Sequence, residues 1–309
     1  MFGPYTMVAL IARGGTSRVM LAVHAATGAR VALKILLPEL AAHPEMRARL
    51  HAERTLLGRV AHEGVVEMHD AGVADDGTPF LVMEYLDGQP LGVVVGDGPM
   101  DVPMALAVTT QVAAALAALH AAGVVHCDVK HDNVMVLDER IDGLPRVKLI
   151  DFGVSRRVPQ RLARGSFSSV SHEVTDEDDA STQIAGTPWC MAPEQWRGRP
   201  EPASDVYSLG CMLFDLLTGA PPFLGSVPEL MTAHLEHEPP RPAWLATMPA
   251  ALERLLLAML AKIPRDRPSM AAVTAELGEL LAEALDSTRG RPHRQVDDSR
   301  ATLELRAAS

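Results

Sequence analysis

A change of hydrophobic period near Asp87 restricts this chain more than any other feature. Before it, apolar residues come in short runs: YTMVALIA from Tyr5, RVMLAVHAATGARVALKIL from Arg18 and FLVMEYL from Phe80. These have the length and β-branched content of strands, with a hairpin turn at Thr27-Gly28. One helical stretch is expected from Pro44 to about Val60. Beyond Asp87 the spacing becomes helical, in VPMALAVTTQVAAALAALHAAG, SDVYSLGCMLFDLLTG, VPELMTAHLEH, PAALERLLLAMLA and SMAAVTAELGELLAEAL, divided by Pro and Gly clusters. The pattern predicts an α+β chain with two lobes, a small strand-rich one over 1–86 and a larger, mainly helical one over 87–285. Two segments stand apart as solvated: residues 155–182, where Arg156, Arg157, Arg161 and Arg164 precede EVTDEDD, and the polar tail 286–309, expected to be disordered.

Composition narrows the partners. The 28 basic against 39 acidic residues give a formal charge of −11, so no broad basic surface for nucleic acid or anionic lipid is expected. Nucleotides and proteins fit better. Cys127, Cys190 and Cys211 are too few and too scattered for a disulfide framework, and the chain does not open on a basic region followed by an apolar one. A cytoplasmic setting is the expectation. The most apolar stretch, from Met104, is interrupted by Thr109, Thr110, Gln111 and His120. It falls short of the ~20 apolar residues of a spanning helix and reads as a buried, alanine-rich core helix, so no membrane span is expected.

Several short motifs carry phosphate and metal chemistry. IARGGTSRV, residues 11–19, places Gly14 and Gly15 between two strands, where small residues let backbone N–H groups approach phosphates; an ordinary hairpin turn would look the same. VALKIL places Lys34 among apolar neighbours, and a desolvated ammonium needs an anion, either a phosphate or a carboxylate. Glu53 is the first candidate, with Glu45 and Glu63 as competitors. Further on, GVVHCDVKHDNV brings Asp128 and Asn133 together, and LIDFGVS ends an apolar run on Asp151. Magnesium prefers a few oxygen ligands plus substrate phosphates, so an Asn amide oxygen and a carboxylate from another loop suit a metal–nucleotide site. Asp128, if it does not bind metal, is available to accept a proton from a hydroxyl.

The ordered set IARGGTSRV, VALKIL, Glu53, VMEYL, HCDVKHDN, DFG, GTPWCMAPE, SDVYSLG and PRDRPS resembles the eukaryotic-type (Hanks-type) protein serine/threonine kinases over roughly residues 5–285, with wording most similar to bacterial members. The resemblance implies the bilobal protein-kinase fold, ATP and Mg2+ as cofactors, and transfer of the γ-phosphoryl group to serine or threonine of a protein substrate. It assigns Lys34 to the α- and β-phosphates with Glu53 as its partner. Asn133 and Asp151 become the magnesium ligands, Asp128 the catalytic base and Lys130 the γ-phosphate contact. Adenine would lie between Ile11, Val19 and Ala32 above and Met135 below. Met83 would stand beside it, with the backbone of Glu84 and Leu86 offering hydrogen bonds. Glu194 would pair with Arg267, Asp205 would receive backbone hydrogen bonds from the catalytic loop, and Thr187 with Lys130 would favour Ser/Thr acceptors. Ala12 and Ser17 stand where the family often has glycine, which implies a stiffer loop.

Cys127 departs from the pattern, because most members have arginine there to receive a phosphorylated residue of the activation segment. A neutral thiol cannot do so, which implies activity that depends little on that switch. Ser181 and Thr182 remain candidate autophosphorylation sites, and the acids Asp176, Glu177, Asp178 and Asp179 could dock on the arginines or on a regulatory protein partner, or simply be solvated. Two other readings of Cys127 are a redox sensor and a zinc ligand with His120, His126 and His131; a buried inert thiol competes with both. Other functions also compete: a pseudokinase acting as a nucleotide-gated binding module, although no lysine, base or metal ligand is lost, and a small-molecule phosphotransferase, a class not expected to combine the DxK lysine with GTPxxxAPE.

Overall fold

Alternation in the first runs produces one antiparallel sheet in the order β1-β2-β3-β5-β4. Its strands are β1 (Tyr5–Arg13), β2 (Ser17–His24), β3 (Arg30–Leu36), β4 (Met68–Val73) and β5 (Pro79–Glu84). The structure, a computed structural model, describes residues 1–96, 98–152, 155–157, 186–241 and 248–289. β3 shows why the sheet forms. Val31, Leu33 and Ile35 point to one face and pack with Phe2, Phe80 and Val82, while Ala32 and Lys34 point to the other. β4 was not expected, because MHDAGV lacks an apolar alternation; pairing with β5 makes it a strand. After α1 (Pro38–Ala41), α2 (Pro44–Leu57) starts with Pro at its first position and buries Leu50, Leu56 and Leu57.

Downstream come β6 (Gly88–Pro90), α3 (Leu91–Val95), α4 (Val102–Ala121), β7 (Val124–Val125), β8 (Val134–Ile141), β9 (Leu144–Leu149) and β10 (Arg156–Arg157). Then follow α5 (Pro193–Trp196), α6 (Pro202–Thr218), α7 (Val227–Glu236), α8 (Ala250–Met259) and α9 (Met270–Arg289). The helical periods are found where the spacing placed them. The β8–β9 hairpin was missed, although it carries the Asp-Gly turn signal: Asp142 and Gly143 both have positive φ, 53° and 82°. α9 runs through Arg289, so residues 286–289, assigned to the tail, are helical; residues 290–309 lie outside the described ones.

By length and composition α4, 20 residues long with an 18-residue window of mean hydropathy 1.8, is sufficient to cross a membrane, contrary to the reading of its polar interruptions. Its setting is that of a core helix. Leu106, Val112, Leu116 and Leu119 are fully buried, and the helix packs on α6, α9 and β9. The interruptions are satisfied inside the fold. Thr109 and Thr110 donate to the carbonyls four residues back, and the Gln111 amide donates to Pro145 O and accepts from Val147 N.

Candidate active site

The site is assembled where β3 and α2 meet the loops that bracket β8 and β9. Lys34 leaves the half-covered face of β3, and its ammonium reaches Glu53 of α2 at 2.6 and 2.9 Å and Asp151 at 2.7 Å. Glu45 and Glu63 are not its partners. Burial alone would lower the Lys34 pKa, but the carboxylates of Glu53 and Asp151 outweigh it and hold the ammonium above the usual lysine range. Burial pushes the Glu53 carboxyl up, opposed by Lys34 and by the Phe152 N–H, which donates to it at 3.3 Å. Asp151 is about half exposed and has a left-handed backbone, φ 62°, which turns its carboxylate back toward β3.

A second cluster surrounds Asp128. Its carboxylate accepts from the Thr187 hydroxyl at 2.7 Å and from the Asn133 amide at 3.0 Å, and pairs with Lys130 at 2.8 Å. Lys130 also donates to Thr187 at 2.9 Å. Desolvation works against the Lys130 charge, yet Asp128 more than offsets it and raises the pKa. Asn133 spends its amide hydrogens on the carbonyl and carboxylate of Asp128. So Lys34, Glu53 and Asp151 form one group, and Asp128, Lys130 and Asn133 another, joined through the β8–β9 hairpin: Ile150 N donates to Asn133 O at 2.8 Å.

The proposed adenine wall is partly assembled. Ala32 pairs with Met83 across β3 and β5, and both join Val19 and Leu86 in the main apolar cluster. Val19 lies opposite Lys34 in register. Glu84 ends β5, with its N–H bonded to Glu67 O. Met135 is half-buried on β8. Ile11 is 46% exposed and is the residue skipped by a register shift in β1, so it sits at the open edge. The turn between β1 and β2 is closed by Gly14 N to Ser17 O, 2.8 Å; neither Gly14 nor Gly15 is left-handed, so the turn itself does not demand glycine there.

Behind the site, Asp205 of α6 accepts from the backbone N–H of His126 and Cys127 at 2.9 and 2.8 Å, and contacts His120 at 2.7 Å. Glu194 and Arg267 form a bidentate pair at 2.7 and 2.9 Å. Cys127 is 3% exposed with φ 67°. Such a thiol offers little access to an oxidant. The zinc reading fails on geometry: His120 turns to Asp205, His126 packs edge-on to Phe152, and His131 stacks on Trp189. Among the described residues no group of three or more His, Cys, Asp or Glu could hold a metal. Sequence reasoning missed Gln195, which bonds Cys127 O and Ala192 N, and the Ser204 hydroxyl on Glu194. Their neighbours in APEQW and SDVYSLG were visible, but no local signal says that an amide or hydroxyl will be buried. Ser181, Thr182 and the acids at 176–179 lie outside the described residues.

A five-stranded sheet followed by a helical body, with Lys34 paired to carboxylates and Asp128, Lys130 and Asn133 clustered nearby, is the arrangement of the bilobal protein-kinase fold. Comparison with known sequences agrees: the protein kinase domain model matches residues 5–277. Serine/threonine-protein kinase Pkn1 of Myxococcus xanthus is 37% identical over 285 residues, covering 91% of this chain and 39% of its own length. Probable serine/threonine-protein kinase PknB of Corynebacterium glutamicum is 34% identical over 317 residues, 98% of this chain and 46% of its own. Pkn3 of Myxococcus xanthus is 34% identical over 315 residues, 97% and 54%. The chain belongs to the protein kinase family, and these relatives are bacterial Hanks-type serine/threonine kinases. It spans about half the length, or less, of the relatives it matches.

Proposed function

We propose that the chain transfers the γ-phosphoryl group of ATP to serine or threonine hydroxyls of proteins. One observation carries this reading: Lys34 contacts Glu53 and Asp151 at once, while Asp128 and Lys130 both bond Thr187 nearby and Asn133 bonds Asp128. The residues suit Mg2+ and ATP. Asn133 and Asp151 are the hard oxygen donors magnesium takes. The Asn133 amide hydrogens are engaged by Asp128, which leaves its oxygen as the atom to offer a metal. Gly14 and Gly15, not required by their turn, suit close approach of phosphates.

In this reading the metal, when bound, neutralises phosphate charge. The chain does the rest. Lys34 orients the α- and β-phosphates, held by Glu53. Asp128 accepts the proton of the acceptor hydroxyl as its oxygen attacks the γ-phosphorus and ADP leaves, and Lys130 balances charge on the moving group. Val19, Ala32 and Met83, with Ile11 and Met135 at the edge, enclose adenine, and the backbone at Glu84 and Leu86 bonds it. Cys127 replaces the phosphate-receiving arginine, so activity depends weakly on phosphorylation of the activation segment. Ser181 or Thr182 are candidate autophosphorylation sites, a regulatory protein partner supplies the input, and the domain works in the cytoplasm. The test is γ-phosphate transfer from MgATP to the protein itself and to a generic basic protein, on Ser or Thr. Wild type alone should transfer; equal signal from Asp128→Asn and Lys34→Met would sink the reading.

A further inference from the structure

Cys127 is bonded from both sides. Its N–H donates to Asp205 Oδ1 at 2.8 Å, and its carbonyl accepts from Gln195 Nε2 at 2.8 Å. Between them these bonds set the φ and ψ of a left-handed residue, φ 67°, and so the direction in which Asp128, one peptide further, projects its carboxylate. Gln195 is 3% exposed, and its other amide atom accepts from Ala192 N at 3.0 Å. The amide donates to a carbonyl with one end and accepts from an N–H with the other, which neither a carboxylate nor an apolar side chain of the same shape can do. Gly186 passes over the same point: a Cβ there would lie 3.1 Å from Cys127 O and 3.4 Å from Gln195 Nε2, at φ 134°. Thr187, next in line, bonds Asp128 and Lys130, and Trp189 stacks on His131 with centroids 5.6 Å apart. The stretch 186–195 is thus fastened to the catalytic loop through an amide, a hydroxyl and a ring.

We propose that Gln195 is a positioning residue that locks the substrate-binding stretch 186–195 onto the Cys127 carbonyl and thereby aims Asp128, so that acceptor binding needs no phosphate on the activation segment. This rests on the kinase reading and adds how that site is held ready. It accounts for a buried polar side chain that touches none of the reacting groups, and for a glycine at Gly186 where any side chain would press on the bonded pair.

The experiment measures steady-state transfer to an acceptor peptide, varying ATP and peptide separately, for wild type, Gln195→Glu and Gln195→Met. Gln195→Glu keeps the shape and removes the donor; Gln195→Met removes both bonds. Both should raise the peptide KM and lower kcat, for about a tenfold loss in kcat/KM, with the KM for ATP within twofold. A smaller folded fraction would leave both KM values unchanged, so the split separates positioning from stability. Gly186→Ala approaches the same bond from the other strand of the contact and should give the same split if the Gln195 variants do not fold. Wild type treated with a phosphatase should keep its peptide KM. An unchanged peptide KM in Gln195→Glu, or a peptide KM that rises severalfold on phosphatase treatment of wild type, overturns the proposal. Absence of transfer by wild type itself would instead count against the kinase reading.

Discussion

Arg267→Met isolates how much of the fold's stability rests on anchoring the stretch around Glu194. In the native chain the guanidinium, with no exposed side-chain surface, forms the bidentate pair with Glu194 and also donates to the carbonyls of Ala261 and Ala203, each at 2.7 Å. Methionine keeps an unbranched apolar stem but not the guanidinium, which lies over the Tyr207 ring 4.9 Å from its centroid. What disappears is the charge and the hydrogen bonds to the two carbonyls. Glu194, 6% exposed, is left with the Ser204 hydroxyl at 2.6 Å as its remaining side-chain donor. Breaking a buried pair from one side typically costs about 3–5 kcal/mol, because the surviving charge stays desolvated. Four kcal/mol is roughly a thousandfold in the folding equilibrium, or about 8–16 °C in Tm for a domain of this size class. Urea unfolding followed by circular dichroism would read it, together with Glu194→Gln and the double variant. The double variant should lose less than the sum of the single losses, by about 1–3 kcal/mol. A single-variant loss below about 1 kcal/mol, or strict additivity, would refute the argument that the pair is a mutually dependent buried unit.

Lys34→Met should abolish measurable transfer and also destabilise the domain by about 3–5 kcal/mol, since Glu53 is left buried beside Asp151 without its cation; thermal scans showing no loss would contradict this. Asp205→Asn can keep only part of the acceptor set used by His126 N–H, Cys127 N–H and His120, so kcat should fall about tenfold or more while the ATP KM holds; wild-type kcat would remove the clamp from the account. Acid should destabilise the helical lobe through His234. Burial, and then the nearby Lys262 ammonium, hold its pKa down at about 4 against an ordinary 6.5. Between those values the unfolded chain binds more protons, so stability is complete above pH 6.5 and is lost as pH falls toward 4. The slope is at most ~1.4 kcal/mol per pH unit, or roughly 2 kcal/mol between pH 7 and 5. His234→Gln should flatten that part of the urea-midpoint profile, and an unchanged slope would assign it to other groups.

What the sequence exposes and what it hides divide along physical lines. Helices such as α6 and α8 were legible because one apolar stripe at a 3.6-residue period is a local property. β4 was not, since MHDAGV becomes a strand only by pairing with β5, a contact no window can contain. The β8–β9 hairpin carried its Asp-Gly turn in plain view, but the run VLDERIDG before it lacks the apolar alternation of a strand. In the site, charged residues with no business among apolar neighbours, Lys34 above all, announce themselves, and so do short spaced sets such as Asp128, Lys130 and Asn133. Gln195, Ser204 and Ser208 did not, because a neutral polar side chain is equally at home in water and their function exists only after burial.

The position of Asp128 is finally a consequence of hydrophobic burial in α6. A left-handed, non-glycine residue at Cys127 is strained by roughly 1–3 kcal/mol and persists only if its surroundings over-determine it. α6 supplies that. Leu209, Cys211, Met212 and Leu213 are fully buried, and Gly210 lets α8 approach so closely that a Cβ would sit 3.0 Å from the Met259 Cβ. Each large apolar side chain so buried contributes about 1.5–3 kcal/mol, so the helix cannot shift to relax a neighbour. From that fixed body Asp205 grips the backbone at 126–127, Ser208 donates to Cys190 O at 2.8 Å, Ser204 donates to Glu194 at 2.6 Å, and Asp215 faces His131 at 3.4 Å. The loop that carries Asp128 and the stretch 186–195 are therefore registered against one rigid object rather than against each other alone. Loosening α6, by Gly210→Ala for instance, should disturb both at once, with loss of transfer accompanying loss of stability; a variant of α6 that unfolds more easily yet transfers normally would show that the register is set elsewhere.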